Sequence, residues 1–506
     1  MTPKHTAPPK SGQEPKADWM SQIPEVRIAP VNSADVARDG QYVLYWMIAA
    51  RRTEWNFGLD RAVEWADQLG KPLVVFEPLR CDYRWASDRL HRFVLEGMRD
   101  NRARLAKTRA TYFSYVEPHV GAGKGLLKSL AQHACVVVTD DYPCFFLPRM
   151  VAAVADRMPV LVETVDSNGI WPMRASDKVF TTAHSFRRYL QKNIRAHLEI
   201  KPAADPLAGA TLPRLDSLPE QVTVRWQLAD LDGLLTDGGL EALPIDHEVG
   251  PATLSGGPDS ARKTLTRFLD KNLDRYVTER NVPDEEATSE LSPYLHFGHI
   301  SAHEVFNRLM QQEQWTSEAL SQKTSGSREG WWNASEGAEA FLDQLITWRE
   351  LGFNFTAQRD DYDQYESLPD WARATLEEHE SDPREHTYSL EEFAAGATHD
   401  RLWNAAANQL RTEGRLHNYL RMLWGKKILE WSPTPEEALE TMIALNDRYA
   451  VDGRDPNSYS GICWVLGRYD RAWGPERPIF GKIRYMTSRN TARKVSVAAE
   501  LESNAP

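Results

Sequence analysis

The pattern of apolar and polar positions divides the chain into two different halves. Between residues 40 and 200, short apolar runs alternate with segments whose apolar residues recur at helical spacing. The predicted strands are Tyr42–Ala49, Pro72–Phe76, Thr111–Val116, Cys135–Thr139 and Val160–Val165, and the predicted helices are Phe57–Leu69, Asp88–Ala106, Leu126–His133 and Pro148–Arg157. This alternation predicts a doubly wound parallel sheet with helices on its faces. Ligands of such sheets bind at the carboxyl ends of the strands.

The second half has the pattern of an all-helical domain. Helical spacing runs through Leu265–Tyr276, Ala302–Leu309, Ala338–Phe353, Leu402–Trp431 and Pro435–Tyr449. Between the halves, periodicity fades in a stretch rich in Pro, Gly and Asp, which indicates a long connection over the surface. We therefore predict a disordered tail at 1–24, an α/β domain at 25–200, a linker at 201–260 and a helical domain at 261–496.

Composition narrows the class of protein. The tail is rich in Pro, Lys and polar residues and has no apolar core like that of a signal peptide. No apolar run in the sequence is long enough to span a bilayer, and the 4 cysteines lack zinc-ligand spacing. We expect a cytoplasmic protein that holds no metal and does not enter a membrane.

Charge is distributed unevenly along the chain. The net charge of −12 argues against indiscriminate binding of nucleic acid. Between Gly467 and Lys494, however, eight basic residues face two acidic ones, so this stretch carries +6. It could bind phosphates at a selected site, or it could be an ordinary solvated surface.

Tryptophan is unusually frequent in the helical half. The chain has 17 tryptophans, and nine of them lie between Trp331 and Trp473. Trp424 and Trp431 are two helical turns apart and share one face, and Trp403 lies earlier in the same helical region. Such spacing is usually that of core packing, and it is also the serial proximity that a redox relay of rings requires.

Three further groups of residues have the chemistry of a binding site. The hydroxyls and backbone N–H groups of Ala287–Ser301 could hold an anion such as a diphosphate, or could cap a helix. Arg421 with Asp452 and Asn446 could set the charge and hydrogen bonding of a redox ring, or form a structural ion pair. In Trp464–Arg484, rings alternate with arginines, as expected where bases stack and phosphates are held.

Taken together, these stretches resemble the class II cyclobutane pyrimidine dimer photolyases of the photolyase/cryptochrome family. The resemblance covers nearly the whole chain after the tail, including Tyr45–Met47 and the Arg52 to Asn56 spacing near the first strand. The most specific segments are Thr288–Ser301, Leu402–Ala405, Gly425–Trp431, Pro435–Leu439, Leu445–Pro456 and Gly481–Met486.

The resemblance implies an N-terminal antenna domain and a C-terminal domain that holds FAD in a U shape. It leaves room for a deazaflavin-type antenna chromophore. The residues implied to hold FAD are Tyr276, Thr288, Ser289, Glu290, Leu291, Ser292, Arg421, Asn446, Asp452 and Gly453. Asn446 is implied to govern flavin N5, and the implied photoreduction relay runs outward through Trp424, Trp403 and Trp431. The residues implied to contact lesion DNA are Arg280, Trp348, Met422, Trp464, Arg471, Trp473 and Arg484.

The implied activity is that of a monomeric deoxyribodipyrimidine photo-lyase, a carbon–carbon lyase acting on double-stranded DNA that contains pyrimidine dimers. Light-excited reduced FAD would donate an electron to a flipped-out dimer, the cyclobutane ring would split, and the electron would return. The protein would supply position, a dry pocket and electrostatics.

Two positions depart from the family pattern. Gln344 stands where the family has a glutamate beside the dimer; its amide donates a hydrogen bond but cannot donate a proton. Leu423 stands where an aromatic residue commonly precedes the first relay tryptophan. A cryptochrome-like photoreceptor with little or no repair activity is therefore the main alternative, and a nucleic-acid-binding protein without flavin is a third hypothesis.

Overall fold

The N-terminal part of the chain is built on a six-stranded, mainly parallel sheet. The computed structural model describes residues 21–503. The strands are β1 (Ile28–Pro30), β2 (Tyr42–Trp46), β3 (Leu73–Leu79), β4 (Thr111–Val116), β5 (Ala134–Asp140) and β6 (Val162–Val165). They lie in the order β1-β6-β5-β2-β3-β4, and β1 pairs antiparallel with β6 while the other pairs are parallel. The predicted doubly wound sheet is confirmed. The sequence pattern did not predict β1, because its three residues are too few to show an apolar run or an alternation.

Helices cover both faces of this sheet. Leu44 and Trp46 of β2 pack into one core, whereas Val43 and Tyr45 pack into another on the opposite face. Because both faces are buried, the strands are apolar throughout. The helices of this part are α1 (Phe57–Leu69), α2 (Asp88–Leu105), α3 (Leu126–Ala131), α4 (Leu147–Ala155), α5 (Ala183–Asn193) and α6 (Arg195–Leu198).

The boundary between the halves is less sharp than the sequence pattern indicates. Phe186 and Leu190 of α5 lie within the predicted α/β domain, yet they pack in the core of the helical half. The long connection contains α7 (Glu220–Thr223) and α8 (Leu231–Leu234). Val222 and Trp226 pack in the same core as Leu44, so the connection wraps the α/β part.

The remainder of the described chain is helical. Its α-helices are α9 (Pro258–Arg267), α10 (Tyr276–Glu279), α11 (Ser292–His296), α12 (Ala302–Gln312), α13 (Glu336–Leu342), α14 (Arg349–Gln358), α15 (Asp370–Glu378), α16 (Leu390–Ala395), α17 (Arg401–Glu413), α18 (Asn418–Trp431), α19 (Pro435–Tyr449), α20 (Pro456–Val465), α21 (Ser488–Lys494) and α22 (Ala498–Ser503). Two π-helical segments are Phe268–Asn272 and Asp343–Trp348. Short 3-10 turns are Glu25–Arg27, Met173–Ala175, Pro283–Glu285, Ser317–Ala319 and Tyr365–Ser367.

One predicted helical stretch is divided in the structure. Leu402–Trp431 forms α17 and α18, which are separated at Gly414. This glycine has a φ of 77°, in the left-handed region, and a Cβ there would lie 2.8 Å from Cγ2 of Val451. The chain therefore turns, and Trp403 lies on a different helix from Trp424.

The two halves meet through buried polar contacts. The Arg89 guanidinium on α2 reaches the C-terminal end of α17, where it donates to several carbonyl oxygens. A second contact joins Gly298, in the segment after α11, to the carboxyl end of β2. Arg52 donates to the Gly298 carbonyl at 3.0 Å, and a Cβ on this glycine would lie 2.0 Å from the Ala49 oxygen.

The predicted disordered tail covers residues 1–24, of which 1–20 lie outside the described residues. The chain is packed from before residue 25: Ser21 Oγ donates to Glu64 at 2.7 Å, and Ile23 is 4% exposed. Across residues 21–503, no helix is both long and apolar enough to cross a membrane.

Candidate cofactor and substrate cavity

A cavity of about 970 Å³ lies in the helical half and brings together most of the predicted site residues. Those that line it are Tyr276, Arg280, Thr288, Ser289, Glu290, Leu291, Ser292, Gln344, Trp348, Arg421, Met422, Trp424, Asn446, Asp452, Trp464 and Arg484. Five predicted residues stand outside the lining: Trp403, Trp431, Gly453, Arg471 and Trp473. The volume is that of a pocket for a sizeable organic ligand.

The predicted ion pair is present and faces the cavity. Arg421 Nη2 lies 3.0 Å from Asp452 Oδ1, and Arg421 Nη1 donates to Asn446 Oδ1 at 3.1 Å. The Ser292 hydroxyl donates to Asp452 Oδ2 at 2.7 Å. Burial raises the pKa of Asp452, but the Arg421 charge and the Ser292 hydrogen bond outweigh it and hold the pKa below its ordinary value of 3.8.

Gly453 allows the backbone next to Asp452 to lie close to the end of α19. A Cβ at this position would lie 2.6 Å from the Asn446 carbonyl oxygen and 3.0 Å from Asp447 Cα. Glycine therefore allows the segment after α19 to pass close to the end of that helix. Gly453 acts through the backbone that carries Asp452, without lining the cavity itself.

The segment Thr288–Ser292 forms one polar wall of the cavity, although its members contribute differently. Glu290 has a φ of 55°, and its carboxylate is paired with Arg267 and Arg415. Leu291 is buried. The groups that this segment turns toward a ligand are therefore hydroxyls and backbone, while the Glu290 charge is neutralised by arginines.

A π-helical segment between α13 and α14 brings Gln344 and Trp348 to the opposite wall. Asp343 fixes this segment, since its carboxylate accepts from Arg187 Nε at 2.6 Å and from Nη2 at 3.0 Å. Single π-turns inside α-helices are frequent at functional sites because they redirect side chains. Sequence reasoning did not identify Arg187, which lies on α5 in the other half of the chain.

The three tryptophans that the resemblance implies as a relay lie close together on two helices, α17 and α18. Trp424 lines the cavity, and the Trp403 indole donates to the Trp424 carbonyl at 3.0 Å. The Trp403 and Trp431 ring centroids are 5.8 Å apart at an interplanar angle of 72°. Beyond Trp431, the half-buried Tyr388 and the exposed His399 lie with ring centroids 5.6 Å and 5.0 Å away, so the series leads from the cavity toward solvent.

In the basic C-terminal segment, arginine side chains lie against tryptophan rings beside the cavity. The Arg484 guanidinium carbon lies 5.7 Å from the Trp464 ring centroid and 5.1 Å from that of Trp473. Arg471 covers Trp473 at 4.7 Å. Arg468 does not belong to this surface: it is buried, and its guanidinium lies 3.8 Å from the Phe355 ring centroid.

Two further polar residues, one in the cavity wall and one packed behind it, were not predicted as site residues. The Gln409 Oε1 atom is buried at its wall and has no hydrogen-bond partner among residues 21–503. Lys426, on α18, lies buried under Trp464 with its ammonium 5.3 Å from the ring centroid. Gln409 belongs to none of the predicted motifs. Lys426 lies in the Gly425–Trp431 segment, but its position beside Trp464 depends on helix packing, which that segment does not encode.

Solved structures of similar fold define the class. A class III photolyase from Agrobacterium tumefaciens matches with a TM-score of 0.66 and 16% identity, covering 91% of this chain and 86% of that one. A cryptochrome from Synechocystis matches at 0.64 with 13% identity, over 92% and 88%. A Sulfolobus tokodaii photolyase, which was solved with two FAD molecules, matches at 0.62 with 14% identity, over 92% and 90%. The fold is that of photolyases and cryptochromes.

Sequence relatives give the particular family. Deoxyribodipyrimidine photo-lyase from Methanothermobacter thermautotrophicus is 36% identical over 93% of this chain and 96% of its own length. The enzyme of the same name from Arabidopsis thaliana is 33% identical over 90% and 87%. No protein-family model matches the sequence. The chain belongs to the deoxyribodipyrimidine photo-lyase family of enzymes, which confirms the predicted family and enzyme type.

Proposed function

We propose that this protein is a class II photolyase that uses FAD and light to split cyclobutane pyrimidine dimers in double-stranded DNA. One observation carries the proposal. The Arg421–Asp452–Asn446 group, the first relay ring and the Gln344–Trp348 wall all face a single cavity. A cofactor and an extruded base pair require this arrangement, because an electron must pass directly between them.

The residues of the cavity fit FAD. The unpartnered Gln409 Oε1 and the hydroxyls of Thr288, Ser289 and Ser292 offer hydrogen bonds to a polar ligand. Tyr276 and the Thr288–Ser292 segment would hold the phosphates and ribityl chain. FAD, when bound, supplies the light-excited electron that the reaction needs. Arg421 would stabilise negative charge beside the ring, and Asn446 would hold a hydrogen bond at flavin N5.

The opposite wall would hold the dimer. Trp348, Met422 and Trp464 form an apolar and aromatic surface for an extruded base pair. The Gln344 side-chain amide lines the cavity and forms no hydrogen bond with residues 21–503, so its N–H group would be able to donate to a dimer carbonyl that becomes electron-rich. Two carbon–carbon bonds then break, and the electron returns, so no second substrate is consumed.

The DNA strand would cross the mouth of the cavity. Arg280, Arg471, Trp473 and Arg484 would contact it, with phosphates held by the arginines. A protein of net charge −12 with this local basic surface would bind through few phosphates and release undamaged DNA readily.

The proposal extends to the whole chain. Residues 25–200 would form the antenna domain, with room for a deazaflavin-type chromophore. Residues 201–260 would be the linker, and 261–496 the unit that binds FAD and DNA. We expect a monomer that works in the cytoplasm; its excitation spectrum would reveal an antenna chromophore as a band distinct from those of flavin.

A light-dependent repair assay tests the proposal. Purified protein with its flavin is incubated with a duplex containing one thymine dimer, under blue light and in darkness, beside an Asp452→Ala protein. We expect dimers to disappear only in light and only with the unmodified protein. Equal loss in light and darkness would contradict the proposal. Flavin photoreduction without any dimer loss would instead favour the photoreceptor hypothesis, which Gln344 motivates.

A further inference from the structure

Two consecutive lysines on α18 lie beside two different indoles. The Lys426 ammonium is 5.3 Å from the ring centroid of Trp464, which lines the cavity. The Lys427 ammonium is 5.1 Å from the ring centroid of Trp431, the outermost relay ring. The two ammonium-to-ring distances are nearly equal, so any difference in the effect of the two lysines must come from their other neighbours.

The two lysines differ in their counter-ions. Lys427 is paired with Glu430 at 2.6 Å, so the charge near Trp431 is largely balanced. Lys426 is 0% exposed and donates to the Val465 carbonyl, and no carboxylate of residues 21–503 forms an ion pair with it. The charged groups that face it are Asp470 and Arg484, of opposite sign and both at the cavity.

An unbalanced cation beside an indole opposes removal of an electron from that ring. At the effective dielectric constant of a protein, one unit charge at this distance changes the equilibrium for oxidation by a factor on the order of 100. The Lys426 charge, with Arg484 5.7 Å from the same ring centroid, therefore makes Trp464 a poorer electron donor than an indole without a neighbouring cation. Beside Trp431 the Lys427 charge is balanced by Glu430, so it opposes oxidation of that ring only weakly.

We propose that Lys426 is a positioning residue for electron transfer, whose charge keeps Trp464 reduced and thereby directs oxidation into the series Trp424, Trp403 and Trp431. This inference rests on the proposed function, because it requires a flavin in the cavity. One electron leaves an indole for the light-excited flavin, and a thiol in solution later returns one electron to the last oxidised ring. Protection of Trp464 preserves the lesion wall from oxidative damage.

The test blocks the proposed series of tryptophans at Trp403 and measures whether Trp464 donates the electron instead. Flavin-containing Trp403→Phe protein is illuminated without DNA, and tryptophan radicals are followed by transient absorption. We expect little photoreduction in this variant. Adding Lys426→Met should restore it by at least about tenfold, and a further Trp464→Phe change should abolish the gain. No gain from Lys426→Met would overturn the inference.

Lys427→Met in the same Trp403→Phe background is the matched control, and it should remain slow because it leaves Lys426 in place. A pH series makes the test independent of the folding of the Lys426→Met protein. Burial lowers the pKa of Lys426 to about 7, so its charge is present below that pH and lost above it. Photoreduction of the Trp403→Phe protein should therefore rise as pH increases through about 7. A flat profile would overturn the inference, whereas absence of photoreduction in the unmodified protein would instead refute the proposed function.

Discussion

At the scale of single residues, the cavity differs from the family pattern at Gln344. Its carboxamide lies at the cavity wall where the resemblance implies a glutamate, and its N–H group could donate only a neutral hydrogen bond. The carboxylate of neighbouring Asp343 is paired with Arg187 at 2.6 Å. In the proposed function, Gln344 would therefore limit how strongly the cavity stabilises negative charge on a dimer.

We expect Gln344→Glu to increase dimer splitting per absorbed photon by about fivefold, because a protonated carboxyl donates an O–H hydrogen bond and a transferable proton to the electron-rich dimer carbonyl, whereas an amide donates only an N–H hydrogen bond. The gain should be larger at acidic pH, where the new carboxyl carries its proton. The measurement is repair of a thymine-dimer duplex under counted photons. Gln344→Leu, which removes the donor, should repair less than the unmodified protein; equal rates in all three would show that this wall does not contact the dimer.

The ion pair of Asp452 determines a pH dependence. A carboxyl whose pKa is depressed on folding contributes stability that is fully present above its ordinary value of 3.8 and is lost as pH falls through the lower folded value. Flavin retention should therefore be constant between about pH 5 and pH 8 and decline only below about pH 4. Release of flavin fluorescence during acid titration measures this. Asp452→Asn should bind flavin more weakly at every pH, without that acid step.

At the scale of elements, the site depends on how closely helices and their connections approach. Gly453→Ala places a Cβ 2.6 Å from the Asn446 carbonyl oxygen, so the segment that carries Asp452 must move. We expect a loss of about 2 kcal/mol in the free energy of unfolding, and weaker flavin retention. Urea unfolding and flavin content check both effects. Gly250→Ala, where a Cβ meets nothing within 4 Å, should change stability by less than about 0.5 kcal/mol.

The elements also show what sequence periodicity can and cannot predict. α1 matches its predicted bounds of Phe57–Leu69, because Asn56 caps its start and Gly70, with a φ of 61°, ends it. The stretch 402–431 was predicted as one helical region, since apolar spacing continues across Gly414. Its division depends on the approach of Val451, which is distant in sequence. The π-turn at Asp343–Trp348 likewise has no local signature, because Arg187 comes from another part of the chain.

At the scale of the whole molecule, Arg89 joins the α/β half to α17, the helix that carries Trp403. Burial lowers its pKa to about 10, so it remains charged at neutral pH. Its guanidinium donates to the carbonyl oxygens of Gly250, Leu410, Arg411, Thr412 and Tyr449. A cation at these helix C-terminal ends satisfies carbonyls that have no partner within the helix.

We expect Arg89→Met to lower the free energy of unfolding by about 2–4 kcal/mol, because several buried carbonyls lose their donor. The two halves should then unfold at different urea concentrations, seen as separate fluorescence and circular dichroism transitions. Arg92→Met is the matched control on the same helix; its partly exposed pair with Glu96, at 3.4 Å, should contribute less than about 1 kcal/mol. A single unchanged transition in Arg89→Met would show that the halves do not depend on this residue.

Local sequence patterns were sufficient to predict the strands of the sheet, the helical half, and the residue types that could serve a flavin, a dimer and a relay. Strands that are buried on both faces are apolar throughout, and the helical repeat places Trp424 and Trp431 on one face. Both features can therefore be recognised from residues close together in the sequence. Tertiary packing brings Trp403 of α17 into contact with Trp431 of α18. It also places Lys426 beside Trp464 without an ion-pair partner among residues 21–503, whereas Lys427 is paired with Glu430. Those relations depend on distances between segments far apart in the chain, which no local pattern encodes.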